Sequence, residues 1–316
     1  MKNFALLGLA GYIAPRHLKA IKDTGNNLLV ALDKADNVGI IDNYFPAADF
    51  FTEPERFERH IYKIQRGGKT TIDYFSICTP NYLHDAHIRM ALRNGAHAIC
   101  EKPLVLNPWN IDALEALEQE TGKKINTVLQ LRHHPSIIGL KNKIDADKSE
   151  KIYDVDLTYI TSRGKWYHYA WKGDDEKSGG LVTNIGIHFF DMLGFIFGKL
   201  KNNIVHYRDK HWCAGYLEFE RARVRWFLSV DTDFLPQRIK ENGKTTYRSI
   251  LVEGEELEFT DGFTDLHTLT YQHILVGKGY GLQDAKPSIE LVHHIRNSAC
   301  SQSVAEERHP FCNLQL

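Results

Sequence analysis

The sequence predicts an α/β Rossmann-type domain followed by an α+β domain with a mostly antiparallel sheet. Three observations carry this. The first 130 residues alternate short apolar runs with amphipathic stretches, the signature of a parallel sheet with crossover helices. A glycine-bearing turn joins the first apolar run to the first helical stretch. After about Lys151, β-forming segments follow one another with few helices between them. The expected division is 1–123 and 124–316, with the boundary inside residues 123–152.

In order, Lys2–Leu7 reads as a strand and Pro15–Thr24 as a helix with proline near its start. Asn27–Leu32 is a second strand, and Pro54–Gln65 is an amphipathic helix ended by Gly67-Gly68. Ile72–Cys78 and Ala96–Cys100 are strands flanking a helix at His84–Asn94, and Pro108–Thr121 is a helix stopped by Gly122 before the strand Ile125–Leu129. Such short apolar runs suit strands covered on both faces. Beyond them, Tyr153–Thr161, Ile204–Arg208, Ala214–Glu220, Arg223–Val230 and Tyr247–Val252 are strand candidates, with helices at Asn184–Phe197 and Ser288–Cys300.

Composition narrows the class. At 316 residues, with 43% hydrophobic and 25% charged residues, two globular domains are expected. A formal charge of −1 gives no bulk pull toward nucleic acid or anionic lipid, so any anionic ligand must meet a local group of cations. No stretch is read as a signal peptide or as approaching the length of a membrane span. The five cysteines are odd in number and lack metal-site spacing, which points to a reducing compartment, the cytoplasm. His133-His134 and His293-His294 are adjacent pairs that do not share a face, and no metal is expected.

The loop Gly8-Leu9-Ala10-Gly11-Tyr12-Ile13 lies where strand passes to helix, a place suited to a pyrophosphate. Against G-x-G-x-x-G only Gly8 is in register. Ala10 and Ile13 replace the other glycines and Gly11 is displaced by one, so an ordinary strand–helix turn is an open alternative. Asp33 ends the second strand, where a carboxylate can accept both ribose hydroxyls and repel a 2′-phosphate, favouring NAD over NADP. Lys34 beside it softens that preference. Methyltransferases of related fold pair the same features, so these alone do not separate hydride from methyl transfer.

Three further segments do. Cys78-Thr79-Pro80-Asn81-Tyr82-Leu83-His84, Cys100-Glu101-Lys102-Pro103-Leu104, and Ser178-Gly179-Gly180 leading to Asn184-Ile185-Gly186-Ile187-His188-Phe189-Phe190-Asp191 occur in this order. With them the chain resembles, over nearly its whole length, the glucose–fructose oxidoreductase / inositol dehydrogenase (Gfo/Idh/MocA) family. The resemblance implies NAD as cofactor, an open-faced second sheet, a site in a cleft between the domains, and a homo-oligomer, with a tetramer favoured. Gly8–His17, Arg163-Gly164-Lys165-Trp166-Tyr167, Trp171-Lys172-Gly173 and Lys177-Ser178-Gly179-Gly180 look like one branch, the bacterial UDP-N-acetylglucosaminuronate 3-dehydrogenases of surface-polysaccharide (lipopolysaccharide) sugar biosynthesis. For this branch the resemblance implies oxidation of the sugar 3-hydroxyl, with 2-oxoglutarate as a second substrate that reoxidises NADH.

Roles follow residue by residue from the resemblance. Lys102 matches the catalytic lysine, whose pKa a positive nicotinamide would push down, and Pro103 is expected to follow a cis bond as in relatives. His188 is its titratable partner, four residues after Asn184 and therefore on the same face of a helix. The family usually has aspartate at position 184. The amide can bind a hydroxyl but cannot accept a proton. Asp191 is expected to orient the helix or to cap it. Gly8, Ala10, Gly11, Tyr12, Ile13 and Asp33 are the expected dinucleotide contacts. Thr79, Pro80, Asn81 and His84 would border the nicotinamide, Glu101 its ribose, and Lys102, Gln130 and Trp166 complete that set. For the anionic sugar nucleotide the expected contacts are Asn184, Arg163, Tyr167, Lys177 and Arg238, with Lys165, Lys240, Lys244 and Arg248 as further cations. Two other readings stand beside this one: a dehydrogenase of a free sugar or polyol, and a non-catalytic NAD-sensing protein.

Overall fold

A computed structural model describes residues 1–68, 70–257, 265–301 and 305–314. The chain divides into two compact units, Met1–Gln130 with Thr264–Lys286, and Leu131–Phe263 with Pro287–Leu316. The sequence suggests a single cut between domains. In the structure the chain leaves the first unit, returns to it, and leaves again.

The first unit contains β1 (Asn3–Leu7), α1 (Ala14–Asp23), β2 (Asn27–Leu32), β3 (Asp49–Phe51), α2 (Pro54–Arg66), β4 (Tyr74–Ile77), α3 (His84–Arg93), β5 (His97–Cys100), α4 (Trp109–Thr121) and β6 (Ile125–Thr127). All strand pairs are parallel, in the order β3-β2-β1-β4-β5-β6. The order reverses between β1 and β4, and ligands of such sheets bind outside the strand ends at that reversal. Phe4, Leu6, Leu28 and Ala31 are buried in the core cluster that also holds Leu18 and Ile21 of α1.

The second unit starts with α5 (Pro135–Ala146) and β7 (Tyr153–Thr161), followed by the short helices α6 (Trp166–Tyr169) and α7 (Asp175–Ser178). Next come α8 (Ile187–Phe197), β8 (Leu200–Arg208), β9 (Trp212–Phe219), β10 (Ala222–Ser229), α9 (Gln237–Glu241), β11 (Thr246–Val252) and β12 (Glu255–Glu256). The sheet runs β12-β11-β7-β10-β9-β8, and every pair is antiparallel except β7 with β10. α8 lies on one face: Phe190 meets Trp226 edge-on at 5.3 Å, and Phe189 lies 4.8 Å from Tyr159. Phe227, Ile160 and Ala214 gather Phe234, Leu235, Phe311 and Cys312 into a second cluster.

α10 (Leu266–Leu275) belongs to the returning segment, and its Tyr271 and Ile274 join the core beside α1. α11 (Leu282–Asn297) carries Pro287 where the chain leaves the first unit for the last time.

Two expectations are corrected here. The helix expected at Asn184–Phe197 is a π-helical turn, Val182–Gly186, followed by α8. Gly186 presses the turn onto β10, because a Cβ there would sit 2.8 Å from Leu228 Cδ1. The closing helix expected at Ser288 begins six residues earlier, at Leu282. A further correction concerns length. Asp175–Phe197 is 23 residues long and apolar enough to match a membrane span, contrary to the reading that no stretch comes near it. Its most apolar 18 residues are 67% buried, as suits the core helical segment of its unit.

Candidate active site

Most of the expected dinucleotide residues converge on one edge of the first sheet, the edge where the strands end. Gly8 follows β1 with φ +93°, and a Cβ on it would lie 2.7 Å from the Cys78 carbonyl carbon. Only glycine lets the turn pass that close to the end of β4. Its N–H donates to Leu32 O at 2.9 Å, and Gly11 N–H donates back to Gly8 O at 3.0 Å. Asp33, after β2, accepts from Ala10 N–H at 2.8 Å and Ala35 N–H at 2.9 Å. The acid therefore fixes the glycine turn, while each carboxylate oxygen has a further lone pair for a ribose hydroxyl. Ala10, Gly11 and Ile13 are half-buried, and Tyr12 is 85% exposed. The turn, the acid and the N-terminus of α1 fit a dinucleotide.

Thr79 and Pro80 follow β4, and Asn81 opens a 3-10 turn with its side chain buried. His84, expected beside the nicotinamide, is fully buried: its ring nitrogens lie 2.7 Å from Pro103 O and 2.8 Å from Thr79 O. Burial pulls its pKa down against both carbonyls. His84 thus ties the turn after β4 to the turn after β5. Behind it, His87 lies 3.0 Å from Thr79 Oγ1, and burial lowers its pKa to about 4.

Glu101 and Lys102 follow β5, and the Lys102–Pro103 bond is cis, as expected. Lys102 is half-buried. Glu101, expected beside the ribose, has its carboxylate buried: Oε1 lies 3.1 Å from His17 Nε2 and 2.9 Å from His267 Nε2, and Oε2 accepts from Lys102 N–H at 3.3 Å. Burial alone would raise its pKa. Hydrogen bonds from the two histidines outweigh burial and hold it well below the usual carboxylate range. Gln130 is half-buried at the start of the Gln130–His133 turn after β6.

The second unit holds the remaining candidates. Of residues 181–190 only Asn184 and His188 are not buried, so the apolar helical segment presents these two and conceals its other side chains. Asn184 Nδ2 donates to the hydroxyl of buried Tyr167 at 3.3 Å. The turn entering this segment needs Gly179 at φ +78°, where a Cβ would meet Thr183 Cβ at 2.6 Å. Asp191 has a more definite place than the sequence gives it: it is buried in a two-pronged ion pair with Arg132, at 2.7 and 3.0 Å. That pair pins α8 to the Gln130–His133 turn.

The cations are looser. Arg163 and Lys165 are exposed, Trp166 is 53% exposed, and Arg238 stacks over Tyr247 at 5.9 Å. Lys177 pairs with Asp174 at 2.9 Å. Lys172 lies 5.7 Å from both Trp166 and Trp171, and burial lowers its pKa. Sequence reasoning missed His17, His267, Tyr271 and Arg132. The first ends the stretch Gly8–His17, which is read for its turn and its likeness to one branch and not for a histidine. His267 and Tyr271 are four residues apart, a spacing that places them on one helix face.

Residues 2–128 match the model of an oxidoreductase family with an NAD-binding Rossmann fold, and residues 141–232 match that family's C-terminal alpha/beta domain. The WlbA (WbpB) dehydrogenase from Thermus thermophilus, solved with NAD and alpha-ketoglutarate and again with NAD and UDP-GlcNAcA, is 54% identical. The match covers 98% of this chain and 100% of that one, with a TM-score of 0.94. The chain belongs to the Gfo/Idh/MocA oxidoreductase family. Its first unit is the NAD-binding Rossmann fold of that family, and it is an NAD-dependent oxidoreductase. Another member, the inositol 2-dehydrogenase of Rhizobium meliloti, is 30% identical over 201 residues. That match covers 62% of this chain and 55% of the relative, so the chain spans about half the length of the curated relative it matches there.

Proposed function

We propose that this chain oxidises the 3-hydroxyl of UDP-N-acetylglucosaminuronate with NAD, giving the 3-keto sugar nucleotide. The observation that carries the reading is the near full-length likeness, at 54% identity, to a dehydrogenase solved with NAD and UDP-GlcNAcA. The chain's own side chains support it: Lys102 follows β5 in the sheet whose strand ends carry the dinucleotide turn, and an otherwise buried helical segment offers Asn184 and His188.

NAD, when bound, accepts the hydride. Gly8, Ala10, Gly11, Tyr12, Ile13 and Asp33 bind it, with Thr79, Pro80, Asn81, Gln130 and Trp166 as further contacts. Lys102 Nζ takes the proton of the reacting hydroxyl, and His188 is the second titratable group. Asn184 Oδ1 accepts from a sugar hydroxyl and leaves the proton to the other two. Arg163, Tyr167, Lys177 and Arg238 bind the uronate and diphosphate. His84 ties the turns after β4 and β5 together, and Glu101 bonds the Lys102 backbone from behind.

The same reading includes reoxidation of NADH by 2-oxoglutarate, supported by the relative's complex with NAD and alpha-ketoglutarate. A site that binds a uronate would also suit a keto acid, and Lys102 would return the proton to its carbonyl oxygen when the reduced cofactor supplies the hydride. It also includes a cytoplasmic homotetramer acting in surface-polysaccharide sugar synthesis. The test incubates purified protein with UDP-N-acetylglucosaminuronate, NAD and 2-oxoglutarate and follows the sugar by mass. Loss of two hydrogens from the sugar nucleotide is expected. No such product, or faster oxidation of myo-inositol, would overturn the reading and favour a free polyol substrate, as in the inositol dehydrogenase relative.

A further inference from the structure

We propose that Tyr271, His17 and His267 form a buried hydrogen-bonded chain that holds Glu101 against the backbone of Lys102, making these four the positioning residues of the proposed catalytic lysine. The inference rests on the role given to Lys102 above. Ser76 Oγ lies 2.6 Å from Tyr271 OH, and Tyr271 OH lies 2.7 Å from His17 Nδ1. His17 Nε2 and His267 Nε2 both reach Glu101 Oε1, and Glu101 Oε2 takes the Lys102 N–H. All five side chains are buried.

With both rings neutral and Glu101 ionised, one assignment of protons satisfies every one of these contacts. Ser76 donates to the Tyr271 oxygen and Tyr271 donates to His17 Nδ1. His17 and His267 then each donate from Nε2 to an ionised Glu101. The pKa directions agree: Glu101 is held low, and burial keeps His267 neutral against the pull of Glu101. A buried carboxylate is costly unless its oxygens are satisfied, so a fold that only needed packing here would fill the space with apolar side chains. The chain reaches across three elements to satisfy one carboxylate, and the remaining oxygen of that carboxylate bonds the backbone of the proposed base.

Among the described residues, His17, Glu101 and His267 also form the one group whose potential metal-ligand atoms lie within 4.8 Å of one another. The hydrogen-bonded reading is preferred because His17 Nδ1 is already engaged by Tyr271 and both contacts to Oε1 are hydrogen-bond lengths.

The test is a double-mutant cycle on kcat with Tyr271→Phe and Glu101→Gln. Each single change is expected to lower kcat about tenfold, with KM for the sugar and Kd for NAD within twofold of wild type. The double variant is expected to be no slower than Glu101→Gln, because Tyr271 acts through Glu101. Losses that multiply, or changes confined to KM or to NAD affinity, overturn the proposal. If Glu101→Gln does not fold, His267→Gln is compared with His267→Leu. The amide keeps a donor for Glu101 and retains most of the kcat that leucine loses, and equal losses overturn the proposal. A wild-type chain that never oxidises the sugar fails the functional reading alone. Long-range 1H–15N NMR of labelled histidine then decides the network: Nε2–H tautomers are expected at both rings, and an imidazolium or an Nδ1–H tautomer at either one overturns it.

Discussion

The strand-end edge of the first unit and the 163–180 segment of the second hold their candidate side chains in opposite ways. At the sheet edge, Gly8, Asp33, His84 and Glu101 are each bound by backbone partners 2.7–3.3 Å away. In the 163–180 segment Arg163, Lys165 and Lys177 are exposed, Lys177 resting on a neighbouring acid, and half-buried Lys172 lies against two indole rings. Hydride transfer tolerates little misplacement, so its parts sit on rigid backbone. In the proposed function, recognition of a charged, flexible sugar nucleotide would be shared among several cations.

Variants can break or sharpen this contrast. The largest effect is expected at Lys102→Ala, which should lower kcat by about a thousandfold or more while NAD still binds and the melting temperature holds. Rates within a few-fold of wild type would falsify the proton-transfer role. His188→Asn should cost about a hundredfold in kcat, again with NAD affinity kept, as read by steady-state kinetics and calorimetry. Asp33→Ala comes next. It removes the ribose acceptor and also the acceptor of Ala10 N–H, so NAD affinity should fall about tenfold and the NAD/NADP ratio should narrow. A native preference for NADP would be incompatible with this role. The smallest effect is expected at Lys177→Ala, a change of about threefold or less in KM, because its ammonium already pairs with Asp174.

In acid stability the two units are alike. His309 is buried in the second unit, 3.0 Å from Thr158 Oγ1, and burial lowers its pKa to about 4. A histidine with a depressed folded pKa contributes fully above its unfolded value of about 6.5 and loses that contribution as pH falls toward 4. His87 does the same in the first unit. Melting temperature should therefore drop between pH 6.5 and 4, and His309→Gln should flatten the slope. An unchanged slope would show that other groups carry the acid sensitivity.

What the sequence made legible follows from how local each signal is. β2 and β7 match their expected bounds because an apolar run and a strict alternation each end at a turn residue. The motif residues Thr79, Glu101 and Lys102 lie at strand ends, as their spacing requires. β3 is three residues long and α10 buries His267 and Thr270 beside Leu266 and Ile274, so neither shows a clean apolar period. The shared exposure of Asn184 and His188 was legible from their spacing, but the π turn that carries Asn184 was not, since close packing of Gly186 on Leu228 sets it. The carboxylate partners were hidden for a related reason. Arg132 with Asp191, and His17 and His267 with Glu101, are far apart in the chain, and only the folded path joins them.

That path has a consequence for synthesis. A ribosome makes the chain from the N-terminus, and domains tend to fold as they emerge. Here the core of the nucleotide-binding half is incomplete when its first 130 residues appear, because α10, with Tyr271 and Ile274 for that core and His267 for Glu101, is translated only after the strands of the second sheet. The part of the molecule that begins first is completed near the end.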